Sequence, residues 1–280
     1  MHRLLIQSLR WLDVRMVYLV TSLFVIPVCL LLNTNHSRTS SYHFYRYRLR
    51  YGRLRAAWSV YVNHCLFSQV VVDRFAVFAG KHFHLDIEGY EHFRLLESEP
   101  KGFMIFSSHI GCYEVAGYSL ISKTKRFNAL VFGGEKATVM AGRQEILGHH
   151  NIRMIPVKED MSHLFLVNEA LDNNEIMSMP ADRIIGSAKF VTSVFMDAEA
   201  RFPAGPLSVA TMKEQDVLAV NVMKTSAKHY KVYVARLSYD KQAPRRQQMQ
   251  QLADSYVKEL ERRVRQYPLQ WFNFYDFWSR

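Results

Sequence analysis

The sequence predicts an α/β fold with a mixed, largely parallel sheet flanked by helices, preceded by an N-terminal hydrophobic anchor helix. Three observations support this prediction. The chain has 280 residues, which is enough for one large domain with its own core. Residues Met16–Leu32 carry no charge. From about Phe83 onward, short runs typical of strands alternate with helical stretches, the pattern of a largely parallel sheet covered on both faces.

The elements after the N-terminal region follow from hydrophobic periodicity. The candidate strands are His82–Glu88, Phe103–Ser107, Asn128–Phe132, Ile152–Val157, Ile176–Met179, Phe190–Phe195, Val217–Val222 and Tyr230–Leu237. The candidate helices are Tyr113–Lys123, Lys136–Gly148, Met161–Leu171, Pro206–Met212 and Pro244–Tyr267. The chain between the anchor and Phe83 is also expected to be helical.

The uncharged run Met16–Leu32 contains 17 residues, the lower limit for crossing about 30 Å of hydrocarbon, and Pro27 is expected to kink a helix there. Arginines precede the run, as they do in secretory signals. No small residues with cleavage-site spacing follow it, however. The run is therefore predicted to be a retained anchor within residues 1–35, followed by one domain over residues 36–280.

An arginine- and tyrosine-rich segment follows the anchor, and Arg46, Arg48 and Arg50 alternate there with Tyr45 and Tyr47. Tyrosine rings suit the headgroup layer of a membrane, and arginines pair with lipid phosphates. Single-stranded nucleic acid attracts the same residue types. The neighbouring anchor favours the membrane, and the larger number of arginines after it predicts a domain on the cytoplasmic side.

A histidine and a carboxylate come close together where a predicted strand gives way to a predicted helix. The strand Phe103–Ser107 is followed by Ser108, His109 and Gly111, and Glu114 falls in the first helical turn. Ligands of open α/β sheets bind at the carboxyl ends of strands. A carboxylate on one imidazole nitrogen fixes the tautomer, and the other nitrogen can then take a proton from a hydroxyl. Spacing alone favours a purely structural role for this pair over a catalytic one.

The segment resembles the His-x4-Asp/Glu motif of glycerolipid acyltransferases, and more closely that of the lipid A late acyltransferase family of Gram-negative bacteria. Three further stretches are similar to that family. They are Met179-Pro-Ala-Asp-Arg183, the block from Phe195 to Gly205-Pro206, and the aromatic C-terminal segment Tyr267–Trp278. These four blocks occur in the family's order, which is more specific than any one of them alone.

The resemblance implies transfer of an acyl chain from an acyl-carrier-protein thioester, or from acyl-coenzyme A, to a hydroxyl of a lipid A precursor or related glycolipid. It makes His109 the general base and Glu114 its orienting partner. It implies substrate-binding roles for Asp182, Arg183, Gly205 and Pro206. The arginine- and tyrosine-rich segment separately predicts that Arg46, Arg48 and Arg50 bind the membrane. The resemblance also implies an acyltransferase domain over residues 36–280, at the cytoplasmic face of the inner membrane.

The implied partners are an acidic acyl carrier protein and membrane lipids, with no nucleic acid, metal or cofactor. The formal net charge of +11 suits an acidic carrier protein or an anionic membrane. Two features depart from the family pattern. Cys112 and Tyr113 stand where Asn and Trp are expected, and residues 136–148 lack an Arg-x-Asn-Pro-like stretch.

Other interpretations of the same residues are open. Cys112 lies three positions after His109, which allows a covalent acyl-enzyme, although a buried bystander is expected. His82, His84 and Asp86 alternate along a predicted strand, and His149 precedes His150, but no established metal-ligand spacing accompanies them. An aminolipid or phospholipid acceptor, or a non-catalytic basic protein that binds lipid or nucleic acid, completes the alternatives.

Overall fold

The computed structural model describes residues 2–32, 36–112, 120, 122–131, 151–184 and 189–278. Its centre is a seven-stranded sheet. In spatial order the strands are β1 (His84–Glu88), β9 (His229–Leu237), β8 (Asp216–Lys224), β2 (Phe103–Ser107), β5 (Ile176–Pro180), β3 (Phe127–Val131) and β4 (Ile152–Pro156). Every neighbouring pair is parallel except β8 and β9. The predicted mixed, largely parallel sheet is confirmed.

The central strand β2 shows why the sheet must be covered on both faces. Phe103, Met104, Ile105 and Phe106 are all buried. Successive side chains of a strand point to opposite faces. Met104 and Phe106 accordingly join one hydrophobic cluster, and Phe103 and Ile105 join another. A strand that is apolar throughout thus separates two cores.

A two-stranded antiparallel sheet of β6 (Phe190–Phe195) and β7 (Ala198–Pro203) lies outside the main sheet. The sequence predicted β6 but not β7. The two strands are joined through Met196 and Asp197, whose φ angles are 53° and 63°. Positive φ at both central positions is usual for tight hairpin turns, but Asn and Gly normally supply it. A methionine in the turn therefore gave no sequence signal for the hairpin.

The helices of the described residues begin with His2–Trp11 and the apolar helix Val14–Leu32, which contains a π-helical turn at Thr21–Val25. The other helices are Ser37–His43 with the π-helical Phe44–Arg48, the long helix Arg53–Phe78, Tyr90–Ser98, His163–Asp172, Ala204–Met212 and Arg245–Gln266, followed by the 3-10 turn Pro268–Gln270. The predictions near 161–171, 206–212 and 244–267 are confirmed. The helix predicted at 136–148 and most of that at 113–123 lie outside the described residues. Helix Tyr90–Ser98 was not predicted.

The apolar helix packs along the long helix Arg53–Phe78. Tyr61 donates a hydrogen bond of 3.0 Å to the carbonyl of Ser22, and Ser68 Oγ lies 3.4 Å from Thr21 Oγ1. The opposite side of the apolar helix is exposed, with Phe24 at 68% and Leu31 at 78%. By length and composition this helix could cross a membrane. One side of this helix nevertheless packs against the rest of the protein.

Candidate active site

The site lies where two neighbouring parallel strands end. Strands β2 and β5 pair in register, and their last residues, Ser107 and Pro180, are direct partners. His109 follows the end of β2 by two positions, and Asp182 follows the end of β5 by two positions. The register therefore brings together two residues that are 73 positions apart in the chain.

Asp182 binds His109 through both carboxylate oxygens. The His109 backbone N–H donates to Asp182 Oδ2 at 2.7 Å, and His109 Nδ1 lies 2.8 Å from Asp182 Oδ1. The Asp182 side chain is 1% exposed and that of His109 is 21% exposed. One carboxylate thus fixes both the backbone and the ring of the histidine, while the ring keeps access to the outside.

The charge state of Asp182 sets the tautomer of His109. Burial by itself raises the pKa of the Asp182 carboxyl. The His109 charge, the two hydrogen bonds from His109 and the charge of Arg183 outweigh burial and hold this pKa below its ordinary value. An ionised carboxylate only accepts hydrogen bonds, so Nδ1 of His109 is the donor. In the neutral imidazole the basic lone pair is then on Nε2, the nitrogen that a general base uses.

The backbone around His109 is held at several points. Gly111 N–H donates to the Gln270 carbonyl at 2.8 Å, and Phe272 N–H donates to the His109 carbonyl at 3.0 Å. The φ of Gly111 is +61°, and a Cβ there would lie 1.9 Å from the Val222 carbonyl oxygen. Only glycine fits this approach, so Gly111 allows the chain to turn tightly after His109.

Arg183 lies on the same side of the site, against the C-terminal aromatic segment. Its Nη2 donates to the Phe272 carbonyl at 2.5 Å, and its guanidinium is 5.6 Å from the ring centre of Tyr275. Its Nε is buried and has no hydrogen-bond partner among the described residues. Phe272 therefore contacts both His109 and Arg183 through its backbone, which ties the C-terminal segment to the site.

The remaining predicted site residues are placed differently. Glu114 lies outside the described residues, so its role stays a prediction. Gly205 and Pro206 lie in the first turn of helix Ala204–Met212, directly after β7. A Cβ on Gly205 would meet nothing within 4 Å, so this glycine has open space in front of it. Their predicted contact with substrate also stays a prediction.

The arginines predicted to bind lipid lie at the end of the π-helical segment Phe44–Arg48 and just after it. Arg46 donates to the Tyr51 carbonyl at 3.2 Å, and the Arg48 guanidinium lies 4.4 Å from the ring centre of Trp278. Arg48 and Trp278 border a cavity of about 190 Å³, which is also lined by Ser40, His43, Phe44, Tyr47, Trp271, Asn273, Tyr275, Asp276 and Phe277. Arg48 thus connects the arginine segment to the aromatic segment that holds His109.

The side chains behind the alternative interpretations are also placed. Cys112 is buried, at 2% exposure, as expected for a bystander. His84 is exposed and stacks on His229 at 4.7 Å between ring centres. No group of three or more potential metal ligands occurs in the part of the chain that the structure describes, and His149 and His150 lie outside it.

Several polar residues around the turn were missed by the sequence analysis. Ser108 Oγ donates to Asn221 Oδ1 at 2.6 Å, and the Tyr256 hydroxyl donates to the Ser107 carbonyl at 3.1 Å. Asn221 is 3% exposed although it lies within the apolar strand β8. A buried amide in such a strand needs a polar partner, and this was the one available signal in the sequence.

The comparisons with known proteins define the class of this site. The model of the bacterial lipid A biosynthesis acyltransferases matches residues 76–280, which include the His109 turn, Asp182 and the C-terminal aromatic segment, so the protein is an acyltransferase. It belongs to the bacterial lipid A biosynthesis acyltransferase family. A comparison with curated proteins finds no match to the sequence. Among solved structures, the chain is similar to the crystal structure of the 1-acyl-sn-glycerophosphate acyltransferase PlsC from Thermotoga maritima. The identity is 15%, the coverage 97% of this chain and 99% of that chain, and the TM-score 0.41.

Proposed function

We propose that this protein transfers a fatty acyl chain from an acyl-carrier-protein thioester to a hydroxyl of a lipid A precursor or a related glycolipid, with His109 as the general base. The observation that supports the proposal is the double contact of Asp182 with His109, at 2.7 Å to the backbone and 2.8 Å to the ring. It orients Nε2 for proton transfer. Membership of the lipid A biosynthesis acyltransferases favours the acceptor class.

The proposed reaction is a direct acyl transfer. His109 Nε2 takes the proton of the acceptor hydroxyl while its oxygen attacks the thioester carbonyl carbon, which gives a tetrahedral oxyanion. Collapse of this intermediate breaks the carbon–sulfur bond. The proton on His109 then passes to the departing thiolate, so the products are an ester and a free thiol. Asp182 stabilises the imidazolium that exists between these two steps.

Arg183 is the residue proposed to meet negative charge. Its guanidinium carries a buried Nε that has no hydrogen-bond partner among the described residues, close to the His109–Asp182 pair. Guanidinium groups bind phosphates and oxyanions with paired donors. The half-buried Arg183 side chain is proposed to bind a sugar phosphate of the acceptor or the developing oxyanion. Neither a metal nor a cofactor takes part in this scheme.

The proposed location is the cytoplasmic face of the inner membrane. The exposed side of the apolar helix offers an apolar surface to lipid. Arg10 precedes this helix, Arg15 lies in its first turn, and Arg38 and Arg46 follow it. The same placement gives the enzyme access to a lipid acceptor and to a soluble acidic acyl carrier protein. A net charge of +11 favours both partners.

Lipid mass spectrometry of cells with and without the gene tests the acceptor. One acyl chain missing from lipid A in the deletion strain supports the proposal, and unchanged lipid A overturns that acceptor. A missing chain on an aminolipid or phospholipid would assign the alternative acceptors instead. Complementation with His109→Ala should fail, whereas His84→Ala, an exposed histidine, should restore the chain. Transfer by the purified protein should persist in excess EDTA.

A further inference from the structure

An ion pair lies inside the protein between the long helix and the main sheet. Asp73 and Lys224 bond directly, and their side chains are 0% and 3% exposed. The Asp73 carboxylate also accepts hydrogen bonds from the hydroxyls of Tyr18 and Tyr230. The Lys224 ammonium lies 3.2 Å from the Tyr18 hydroxyl and 3.3 Å from the Ala227 carbonyl. This cluster has no role in the proposed reaction.

Such a pair is a poor means of stabilising a fold. Desolvation raises the pKa of Asp73 and lowers the pKa of Lys224, because burial disfavours both charged forms, although their mutual attraction opposes both shifts. Apolar residues in place of a buried ion pair often leave a protein equally stable or more stable. The pair is therefore better explained by the position that it gives to its neighbours.

One side of the cluster leads to the His109 turn. Lys224 is the last residue of β8, and the Gln270 side chain binds both its N–H, at 2.9 Å, and its carbonyl, at 2.8 Å. The Gln270 carbonyl accepts the 2.8 Å hydrogen bond from Gly111 N–H. Two residues before Lys224, the Val222 carbonyl accepts from Cys112 N–H at 2.7 Å. A shift of Lys224 would therefore reach the turn by two routes.

The other side of the cluster leads to the apolar helix. Tyr18 belongs to Val14–Leu32, is 7% exposed, and donates its hydroxyl hydrogen bond to Asp73 of the long helix. Its ring also faces the Lys224 ammonium at 4.8 Å. Among the described residues, Tyr18 is the member of the apolar helix that hydrogen-bonds to the Asp73–Lys224 pair. The Tyr18 hydroxyl thus connects the proposed membrane element with the end of β8.

We propose that the Asp73–Lys224 pair positions the His109 turn, and that Tyr18 makes this position depend on the apolar helix being packed on the long helix. Tyr18, Asp73 and Lys224 are positioning residues, because they act through Gln270 and β8. The inference rests on the proposed function for His109. It predicts full activity only when the apolar helix is in place.

The first test compares two tyrosine-to-phenylalanine variants in the full chain. Tyr18→Phe removes the hydroxyl on the pair, and Tyr61→Phe removes a hydroxyl that bonds across the same two helices without touching the pair. With lauroyl-acyl carrier protein and an underacylated lipid A precursor in mixed micelles, Tyr18→Phe should lower kcat by about tenfold and leave KM within about twofold. Hydrogen exchange of the Gly111 and Cys112 amides should accelerate by a similar factor, while the amides of helix Arg245–Gln266 stay unchanged.

The result that overturns the proposal is equal behaviour of the two variants in amide exchange and kcat. The second test cuts the connection elsewhere, since Gln270→Leu removes the side chain that binds Lys224. Because the route from Val222 to Cys112 remains in Gln270→Leu, Tyr18→Phe should still change kcat and exchange in that background, but by a smaller factor than in the wild type. Fully additive effects would contradict the connection.

Amide exchange can be measured without catalysis, so it tests the positioning role of the Asp73–Lys224 pair independently of the proposed role of His109. An active His109→Ala protein would refute the general base while leaving the exchange comparison valid.

Discussion

At the scale of single residues, the two contacts of Asp182 fix the orientation of His109. One of its oxygens holds the backbone N–H of His109 and the other holds ring Nδ1, so the ring is fixed relative to its own main chain. The sequence identified His109, because a histidine after an apolar strand suggests a site at the sheet edge. It could not identify the partner on Nδ1. That depends on β5 lying beside β2, and strand order is a property of the whole sheet.

Replacement of Asp182 by asparagine is expected to lower kcat by about 10² to 10⁴, because the amide no longer favours the Nδ1–H tautomer or stabilises the imidazolium. KM should change little. Steady-state kinetics of Asp182→Asn and Glu114→Gln, measured side by side, show which carboxylate has this role. A kcat within threefold of wild type for Asp182→Asn would refute its role in orienting the ring.

The lowered pKa of Asp182 also predicts how stability depends on pH. A carboxyl whose pKa is lower in the folded than in the unfolded state stabilises the fold at pH values above its ordinary pKa of 3.8. That contribution is lost as the pH falls through the lowered pKa. The free energy of unfolding of the wild type should therefore exceed that of Asp182→Asn most near neutral pH. This difference in the free energy of unfolding should narrow as the pH falls, by at most about 1.4 kcal/mol per pH unit.

Urea unfolding at a series of pH values measures this difference. Asp86→Asn, a change in an exposed aspartate on β1, is the matched control and should show no comparable narrowing. A gap that widens toward acid would have the wrong sign and would contradict the assignment.

At the scale of elements, every described strand except β7 could be predicted, and the connections between the strands only in part. Strand β2 was predicted over its full length, Phe103–Ser107, because it is a short apolar run that ends in small polar residues. The hydrogen bonds that β8 and the turn Pro268–Gln270 make with the residues after β2 were not predicted. Those contacts join backbone groups, which every residue carries, so they leave no pattern of residue types in the sequence.

Replacement of Gly111 by alanine is expected to abolish activity and to destabilise the fold. The new Cβ would lie 1.9 Å from the Val222 carbonyl oxygen at a φ of +61°. The turn would have to move away from β8, and such strained positions cost about 1–3 kcal/mol before the clash is counted. Gly52→Ala is the matched control, because a Cβ there meets nothing within 4 Å. Thermal melting and acyl transfer measure both effects, and an active Gly111→Ala enzyme would show that the turn tolerates displacement.

At the scale of the whole molecule, the apolar helix has two sides with different partners. One side packs on the long helix and delivers Tyr18 to the core, and the other exposes Leu19, Leu23 and Phe24 by 54–68%. The sequence could predict the apolar run from its composition. It could not show which residues face the protein, because the run is apolar on nearly every side.

This division predicts that charge on the exposed side weakens membrane binding without unfolding the protein. Leu23→Glu places a carboxylate at a position that is 54% exposed, and insertion of a charge into lipid is unfavourable by more than 1 kcal/mol. Binding to vesicles of phosphatidylethanolamine and phosphatidylglycerol should fall by about tenfold in sedimentation. Leu95→Glu, at a 51% exposed position of helix Tyr90–Ser98, should bind like the wild type and should match Leu23→Glu in melting temperature. Equal loss of binding in both variants would mean that added negative charge, and not the apolar side of this helix, governs attachment.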